Sequence, residues 1–164
     1  MNYTMILKYA MQMELDGYNF FKENASKMSN PTSEAMFLEL AEAEKQHYEY
    51  LENQLNYYLE NNAFDTSPEA MDREEDVFAN RAESEHIEET LEESMIPDLT
   101  ILRMAYLIER DFKEFYTEAS ENAEDENIKA IFKKLANWEE GHERLFKNEY
   151  SKRMKEYMNL PWGG

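Results

Sequence analysis

Apolar side chains recur three and four residues apart along most of this 164-residue chain, which is the spacing of one face of a helix. The first apolar stripe begins at Leu7, and the letters SNPTS at Ser29–Ser33 interrupt it. A second stripe follows and fades after Tyr58. We therefore expect a helical hairpin over about residues 3–60.

The second half of the chain shows the same alternation of stripe and break. Pro97 and Asp98 open a third stripe, the letters ENAEDEN interrupt it, and a fourth stripe runs on until Pro161 ends any helix. These stretches predict a second helical hairpin over about residues 98–158.

The segment between the hairpins, residues 62–97, is dominated by acidic residues. It contains TSPEAMDREED, which resembles a capped helix start, and VFANRAESEHIEETLEE, which has the pattern of a short amphipathic helix. A segment of this length can return along a bundle whose helices are roughly 45 Å long. We expect a single all-α domain, a four-helix bundle whose second and third long helices run parallel because a long, partly helical crossover joins the hairpins.

Composition agrees with helices and excludes several functions. Glycine and proline number four each, and few helix breakers favour an all-α fold. A net charge of −19 argues against binding to nucleic acid or to anionic membranes. The absence of cysteine excludes disulfides and thiolate metal ligands. No signal peptide or membrane span is apparent, so we expect a soluble, cytoplasmic protein.

A shift of 95 residues aligns the second hairpin with the first without a gap. Apolar positions such as Leu7 and Leu102 coincide, and so do the few polar residues on the apolar stripes. Both halves carry Glu-x-x-His, in EKQH and in EEGH. The coinciding polar pairs are Glu14 with Glu109, Glu44 with Glu139, and His47 with His142.

Counting along the helices places these side chains at one level. Glu14 and Glu44 each lie roughly 21–24 Å from the turn between their helices, at 1.5 Å per residue, and the second hairpin repeats this spacing. Residues three apart share a helix face, so His47 points inward beside Glu44. We expect four carboxylates and two imidazoles to converge in the core.

Four ionised carboxylates in an apolar core are very unfavourable unless something neutralises them. The predicted inner stripes carry no lysine or arginine beside them, so either protons or bound cations must do so. Two divalent ions would cancel four negative charges, and mixed imidazole and carboxylate ligands suit iron, manganese or zinc. The arrangement matches the ligand pattern of di-iron carboxylate bundles.

With these residues the chain resembles the ferritin-like superfamily, and within it the rubrerythrin-like di-iron proteins, over both hairpins. The resemblance implies two iron ions, with manganese and zinc as alternatives. It also implies that Glu14 and Glu109 are terminal ligands and that Glu44 and Glu139 bridge the two ions. His47 and His142 would each bind one ion.

Three features depart from the family pattern. The chain has no cysteine-rich rubredoxin domain to deliver electrons. Phe112 occupies the position where the family pattern has an extra glutamate, one turn after the ligand of the third helix. Phe21 stands seven residues after the ligand of the first helix, where family members often have tyrosine, whereas the equivalent residue of the second half, Tyr116, is a tyrosine. Two interpretations of Tyr116 stay open: a hydrogen bond to a ligand carboxylate, or a plain core side chain.

Other residues have simpler interpretations. His86, in ESEH, also follows a glutamate by three residues, but it has no partner in the repeat, and we do not expect it to bind metal. Asp16 and Asp111 should face away from the site. Gly141, in the middle of a helix, is interpreted as making room at the site. The aromatic and methionine stripes are interpreted as core.

The leading functional hypothesis is a di-iron oxidoreductase of peroxidase or ferroxidase type, in which Fe(II) reacts with hydrogen peroxide or O₂. An external, rubredoxin-like donor or fresh Fe(II) would supply electrons, and we expect a homodimer. The alternatives are iron storage, metal binding without turnover, and a helical interaction protein without metal. The last alternative leaves four buried glutamates in phase without an explanation.

Overall fold

The computed structural model describes residues 1–29, 31–72 and 95–161, and every regular element among them is a helix. The prediction of an all-α bundle of two hairpins is confirmed. None of the described helices is both long enough and apolar enough to cross a membrane. The helices are α1 (Tyr3–Ala25), α2 (Pro31–Asn61), α3 (Pro68–Met71), α4 (Met95–Asn122) and α5 (Glu126–Met158).

Side chains at the helix starts satisfy backbone N–H groups that have no partner within the helix. The Asn2 carboxamide accepts a hydrogen bond from the N–H of Met5 at the start of α1, at 3.2 Å. The Asp125 carboxylate accepts from the N–H groups of Asn127 and Ile128 at the start of α5. The break that ENAEDEN predicts is therefore a short turn whose last residue caps α5.

The predicted start of the third long helix is wrong by two residues. It was expected at Pro97 and Asp98, but α4 begins at Met95. Proline is compatible with the first turn of a helix, because the N–H group that it lacks would have no helical partner there. A proline near a helix start therefore locates that start only approximately.

The helical part of the predicted crossover is confirmed by α3, which begins after Ser67. The second helix predicted in this segment, and His86 within it, lie outside the described residues. The division of the chain into a single domain stays a prediction.

Two apolar clusters fill the bundle and fix the directions of its helices. The first includes Leu7, Leu51, Ala119 and Ile128, so the beginnings of α1 and α5 lie at the same end as the last turns of α2 and α4. The second includes Phe21, Phe37, Leu102 and Phe146 and fills the opposite end. Hence α2 runs parallel to α4, as the crossover length predicts, and α1 runs parallel to α5.

A buried carboxylate joins the two hairpins at the second end of the bundle. Asp98, in the first turn of α4, is 1% exposed and accepts hydrogen bonds from the backbone N–H of Ser29, at 3.1 Å, and from its hydroxyl. Ser29 lies in the connection between α1 and α2, so this contact holds that connection against the start of α4.

Replacing Asp98 with alanine should lower the free energy of unfolding by about 1–3 kcal/mol, because the partly buried N–H and hydroxyl groups of Ser29 lose their acceptor. Asp111→Ala is the matched control, since Asp111 is an exposed aspartate on the same helix. Chemical denaturation of both variants measures the difference. Equal stability of the two variants would show that the contact contributes nothing.

Candidate metal centre

Six polar side chains form a layer between the two apolar clusters. Each long helix places one glutamate in the layer, on the face that is otherwise apolar, and α2 and α5 each add a histidine one turn later. All six side chains are buried, with exposures of 0 or 1%. They are the residues that the sequence predicts: Glu14, Glu44, His47, Glu109, Glu139 and His142.

Each histidine contacts carboxylates from more than one helix. Nδ1 of His47 lies 3.3 Å from Oε2 of Glu14 and 3.0 Å from Oε1 of Glu139. The first contact joins helices of the same hairpin, and the second joins the two hairpins.

The second histidine has three such contacts. Nδ1 of His142 lies 3.2 Å from Oε2 of Glu109, 3.2 Å from Oε2 of Glu139 and 3.4 Å from Oε1 of Glu44. The imidazole rings of His47 and His142 are nearly parallel, with centroids 5.5 Å apart and an interplanar angle of 5°.

The six residues divide into two overlapping groups that can each hold a metal ion. One group adds Glu14 and His47 to the pair Glu44 and Glu139, and the other adds Glu109 and His142 to the same pair. Within each group the potential ligand atoms all lie within 4.8 Å of one another. The two positions therefore share the glutamates of the Glu-x-x-His sequences, and each position has one further glutamate and one histidine of its own.

The hydrogen bonding of the carboxylates also favours the binding of cations at these positions. Six of their eight oxygens are fully buried and accept no hydrogen bond of good geometry within the described part of the chain, including both oxygens of Glu44 and of Glu139. No lysine or arginine is among the described buried residues. Buried carboxylate oxygens without donors are costly, and divalent cations would satisfy them with the oxygen and nitrogen ligands that iron, manganese and zinc accept.

Burial and mutual charge perturb the acid–base chemistry of the layer. Burial, and then the neighbouring carboxylates, raise the pKa of Glu44 well above its usual value. Burial also raises the pKa of Glu109, although His142 opposes the shift. The pKa of Glu139 is lowered, because contacts with His47 and His142 outweigh its burial. Without cations, the layer therefore retains protons on some carboxylates.

Both imidazoles also hold their protons strongly. Burial disfavours the charged form of His47, but the charges of Glu139 and Glu14 outweigh it and raise the pKa well above its usual value. The pKa of His142 is raised in the same way, chiefly by Glu109 acting against burial. A metal ion that binds to these residues must displace these protons.

The comparison with protein families agrees with this geometry. A family model described as Rubrerythrin matches residues 5–150. The chain belongs to the rubrerythrin family. No curated protein and no solved structure shows a significant match to it. The resemblance that the two Glu-x-x-His sequences suggest is thereby confirmed at the level of the family.

The structure decides between the two interpretations of Tyr116. Its hydroxyl is fully buried and donates a hydrogen bond to Oε1 of Glu14 across the bundle. Phe21, at the equivalent position of the other half, has no hydroxyl and stacks on Phe146 at 5.4 Å. The two halves of this rubrerythrin-family site therefore differ: Glu14 has a tyrosine partner, and Glu109 has no such hydrogen bond from Phe21.

Gly17 provides space at the site, a role that sequence reasoning assigned to a different glycine. A Cβ atom at Gly17 would lie 3.1 Å from Oε2 of Glu44 and 3.0 Å from a ring carbon of Phe112. At Gly141 a Cβ atom would meet nothing within 4 Å, so the interpretation of Gly141 as making room is wrong. The available signal was a glycine on the apolar stripe of α1, one turn after Glu14.

Trp138 is the other side chain that sequence reasoning missed. Its indole stacks on the imidazole of His47, with ring centroids 5.0 Å apart and planes inclined by 9°. The chain provides no signal for this contact, because Trp138 precedes Glu139 on α5 whereas His47 lies on α2. Only the relative rotation of the two helices brings these rings together.

Because protons on the side chains of the layer compete with metal ions, we predict that metal binding weakens as the pH falls. Glu44, Glu109 and both histidines have raised pKa values, so near neutral pH a divalent ion must displace protons from them. The affinity for the metal ion should rise with pH until the pH exceeds those pKa values. Calorimetric titration with Zn²⁺ in two buffers of different ionisation enthalpy should show proton release at neutral pH. Binding without proton release would contradict the assigned pKa directions.

A methyl group at Gly17 should disturb the site. We expect Gly17→Ala to lower the free energy of unfolding by about 1–3 kcal/mol, because Phe112 or the Glu44 carboxylate must move, and to weaken Zn²⁺ binding. Gly141→Ala is the matched control: it adds a methyl group in open space on a helix and should stabilise the protein by up to about 1 kcal/mol. Indistinguishable effects of the two substitutions on stability and metal affinity would exclude a role for Gly17.

Proposed function

We propose that this protein is a di-iron oxidoreductase in which Fe(II) reduces hydrogen peroxide or O₂. The observation that carries the proposal is the pair of overlapping metal-binding groups with two shared glutamates, which suits two ions held side by side. Membership of the rubrerythrin family supports it. In this proposal the terminal ligands are Glu14, Glu109, His47 and His142, and the bridging ligands are Glu44 and Glu139.

If these residues held two ferrous ions, the ions would supply the two electrons with which one hydrogen peroxide and two protons give two molecules of water. Four glutamates match the charge of two divalent ions, which makes a buried pair of cations favourable. The apolar clusters on both sides exclude water, which strengthens electrostatic interactions inside the site.

The surrounding side chains hold the ligands in position. Tyr116 donates to Oε1 of Glu14, and this hydrogen bond restricts the rotation of that carboxylate. Gly17 leaves the Glu44 carboxylate space in which to change its coordination. Phe112 covers this side of the site with an apolar ring where other family members carry the extra glutamate.

The electrons come from outside this chain in our proposal, because its sequence contains no cysteine to hold a rubredoxin-type iron. A one-electron donor such as a rubredoxin-like protein is the class that fits. The predicted homodimer and cytoplasmic location remain predictions.

Replacing Glu139 with alanine should abolish iron-dependent peroxide consumption, because it removes a ligand shared by both metal positions. Glu140→Ala is the matched control, since Glu140 is the next residue on α5 and its side chain is exposed. Peroxide consumption by iron-loaded protein is measured with a reduced donor, and bound iron is determined separately.

Three outcomes of this experiment have distinct meanings. Loss of turnover and of iron in the Glu139 variant alone supports the proposal. Iron bound by the wild-type protein without any turnover would favour a binding role instead. A large closed assembly in sedimentation, together with iron accumulation beyond two ions for each chain, would favour storage.

A further inference from the structure

Three aromatic rings lie parallel in a row from the surface of the bundle to its metal-binding layer. The Trp138 indole stacks on His47, with centroids 5.0 Å apart and an interplanar angle of 9°. His47 in turn stacks on His142, at 5.5 Å and 5°. Stacked π-systems provide electronic contact, and here the row includes a histidine of each metal-binding group.

The outer ring of this row reaches the protein surface. Trp138 is only partly buried and lines a surface pocket of about 600 Å³. The pocket is also bordered by Asp72, directly after α3, and by the α5 side chains Lys133, Lys134 and Asn137. The tryptophan is therefore in contact with a buried histidine on one side and borders a surface pocket on the other.

The internal repeat shows that this feature belongs to one half of the site. The residue equivalent to Trp138 is Ala43, which is completely buried and carries no ring to extend the row beyond His142. The tyrosine that holds Glu14 serves the same half, since Glu14 and His47 belong to one metal-binding group. The fold does not require an aromatic ring at this position, because the first hairpin forms the same structure with Ala43 there.

The charges around the pocket indicate which kind of partner it suits. Among the described residues that line the pocket, two of the three charged side chains are lysines, although the whole chain carries a net charge of −19. Nζ of Lys134 lies 5.1 Å from the centroid of the Trp138 ring. A cation over the ring disfavours loss of an electron from the indole, so the ring should mediate transfer without being oxidised itself. A docking face with acidic groups complements Lys133, whose side chain is exposed.

We propose that Trp138 relays electrons to the metal centre from a one-electron donor protein that docks on this pocket through an acidic face. At each encounter the donor would lose one electron, which the indole and His47 would pass on to a ferric ion held by the layer, reducing it to the ferrous state. Two encounters would supply the two electrons that a pair of ferric ions needs. This inference rests on the proposed function, and small, transient contacts are typical of electron-transfer partners.

The decisive comparison separates the two half-reactions. Ferric protein is mixed with reduced rubredoxin as the probe donor, and ferrous protein is mixed with hydrogen peroxide, both in a stopped-flow instrument. Trp138→Leu should slow the reduction by rubredoxin at least about tenfold more than the oxidation by peroxide, corresponding to about 1.4 kcal/mol in barrier. Trp138→Phe, which keeps a ring on His47, should lie between the wild-type protein and the leucine variant. Equal slowing of both half-reactions in the leucine variant would overturn the relay.

Docking is tested by charge reversal at the rim of the pocket. Lys133→Glu should slow reduction by rubredoxin at low ionic strength, and added salt should narrow its difference from the wild-type protein, since salt screens charge attraction. Lys155→Glu is the matched control, because it makes the same charge change at an exposed position near the far end of α5. Equal effects of the two reversals would reject this docking surface.

A photochemical measurement tests the coupling without any turnover. The chain has two tryptophans, so Trp162→Phe leaves Trp138 as the only one. Light-excited indole gives up an electron readily, unlike the ground-state indole that mediates transfer during turnover. The fluorescence lifetime of Trp138 should therefore be shorter with bound Fe³⁺ than with redox-inert Zn²⁺, and transient absorption should show an indole radical cation with Fe³⁺ alone. If no radical forms, the inference is wrong. If radical formation is seen but neither hydrogen peroxide nor O₂ oxidises the ferrous protein, the proposed function fails and the relay stands.

Discussion

Four glutamate side chains meet in one layer of this bundle, and the described buried residues include no lysine or arginine to balance them. Isolated carboxylates in such surroundings are strongly unfavourable, and the shared layer raises the pKa values of Glu44 and Glu109 while it lowers that of Glu139. The layer therefore requires either protons or cations. The apolar clusters at both ends hold the helices together around the layer. The same packing that stabilises the bundle therefore buries the carboxylates, which must then be neutralised by protons or cations.

This demand explains the topology as well as the chemistry. Each hairpin alone brings two glutamates and one histidine to one level, which is half of the site. The two clusters show that α2 and α4 run parallel, so the second hairpin is placed against the first with its glutamates at the same height. Asp98 then holds the connection of the first hairpin against the start of the second. The site is complete only where both hairpins meet.

Sequence reasoning could predict the level and the face of each ligand, because helical phase and rise are nearly constant. For Glu44 and Glu139 these two quantities were enough to bring the residues together. They do not determine how far one helix is rotated against another, and so the contact of Trp138 with His47 escaped prediction. The choice between Gly17 and Gly141 also depends on the neighbouring helix, which a single helix pattern does not show. The start of α4 was misplaced because proline is tolerated throughout a first turn.

The departures from the internal repeat concentrate on one metal-binding group. Tyr116 contacts Glu14 and Trp138 contacts His47, whereas the equivalent residues, Phe21 and Ala43, are plain core side chains. Two identical hairpins assembled as separate chains would have to carry any such substitution in both copies. Because one polypeptide contains both hairpins, a single substitution alters the surroundings of one metal-binding group and spares the other. Covalent fusion of the halves thus allows two neighbouring groups with the same ligand types to confer different reduction potentials on the ions that they would hold.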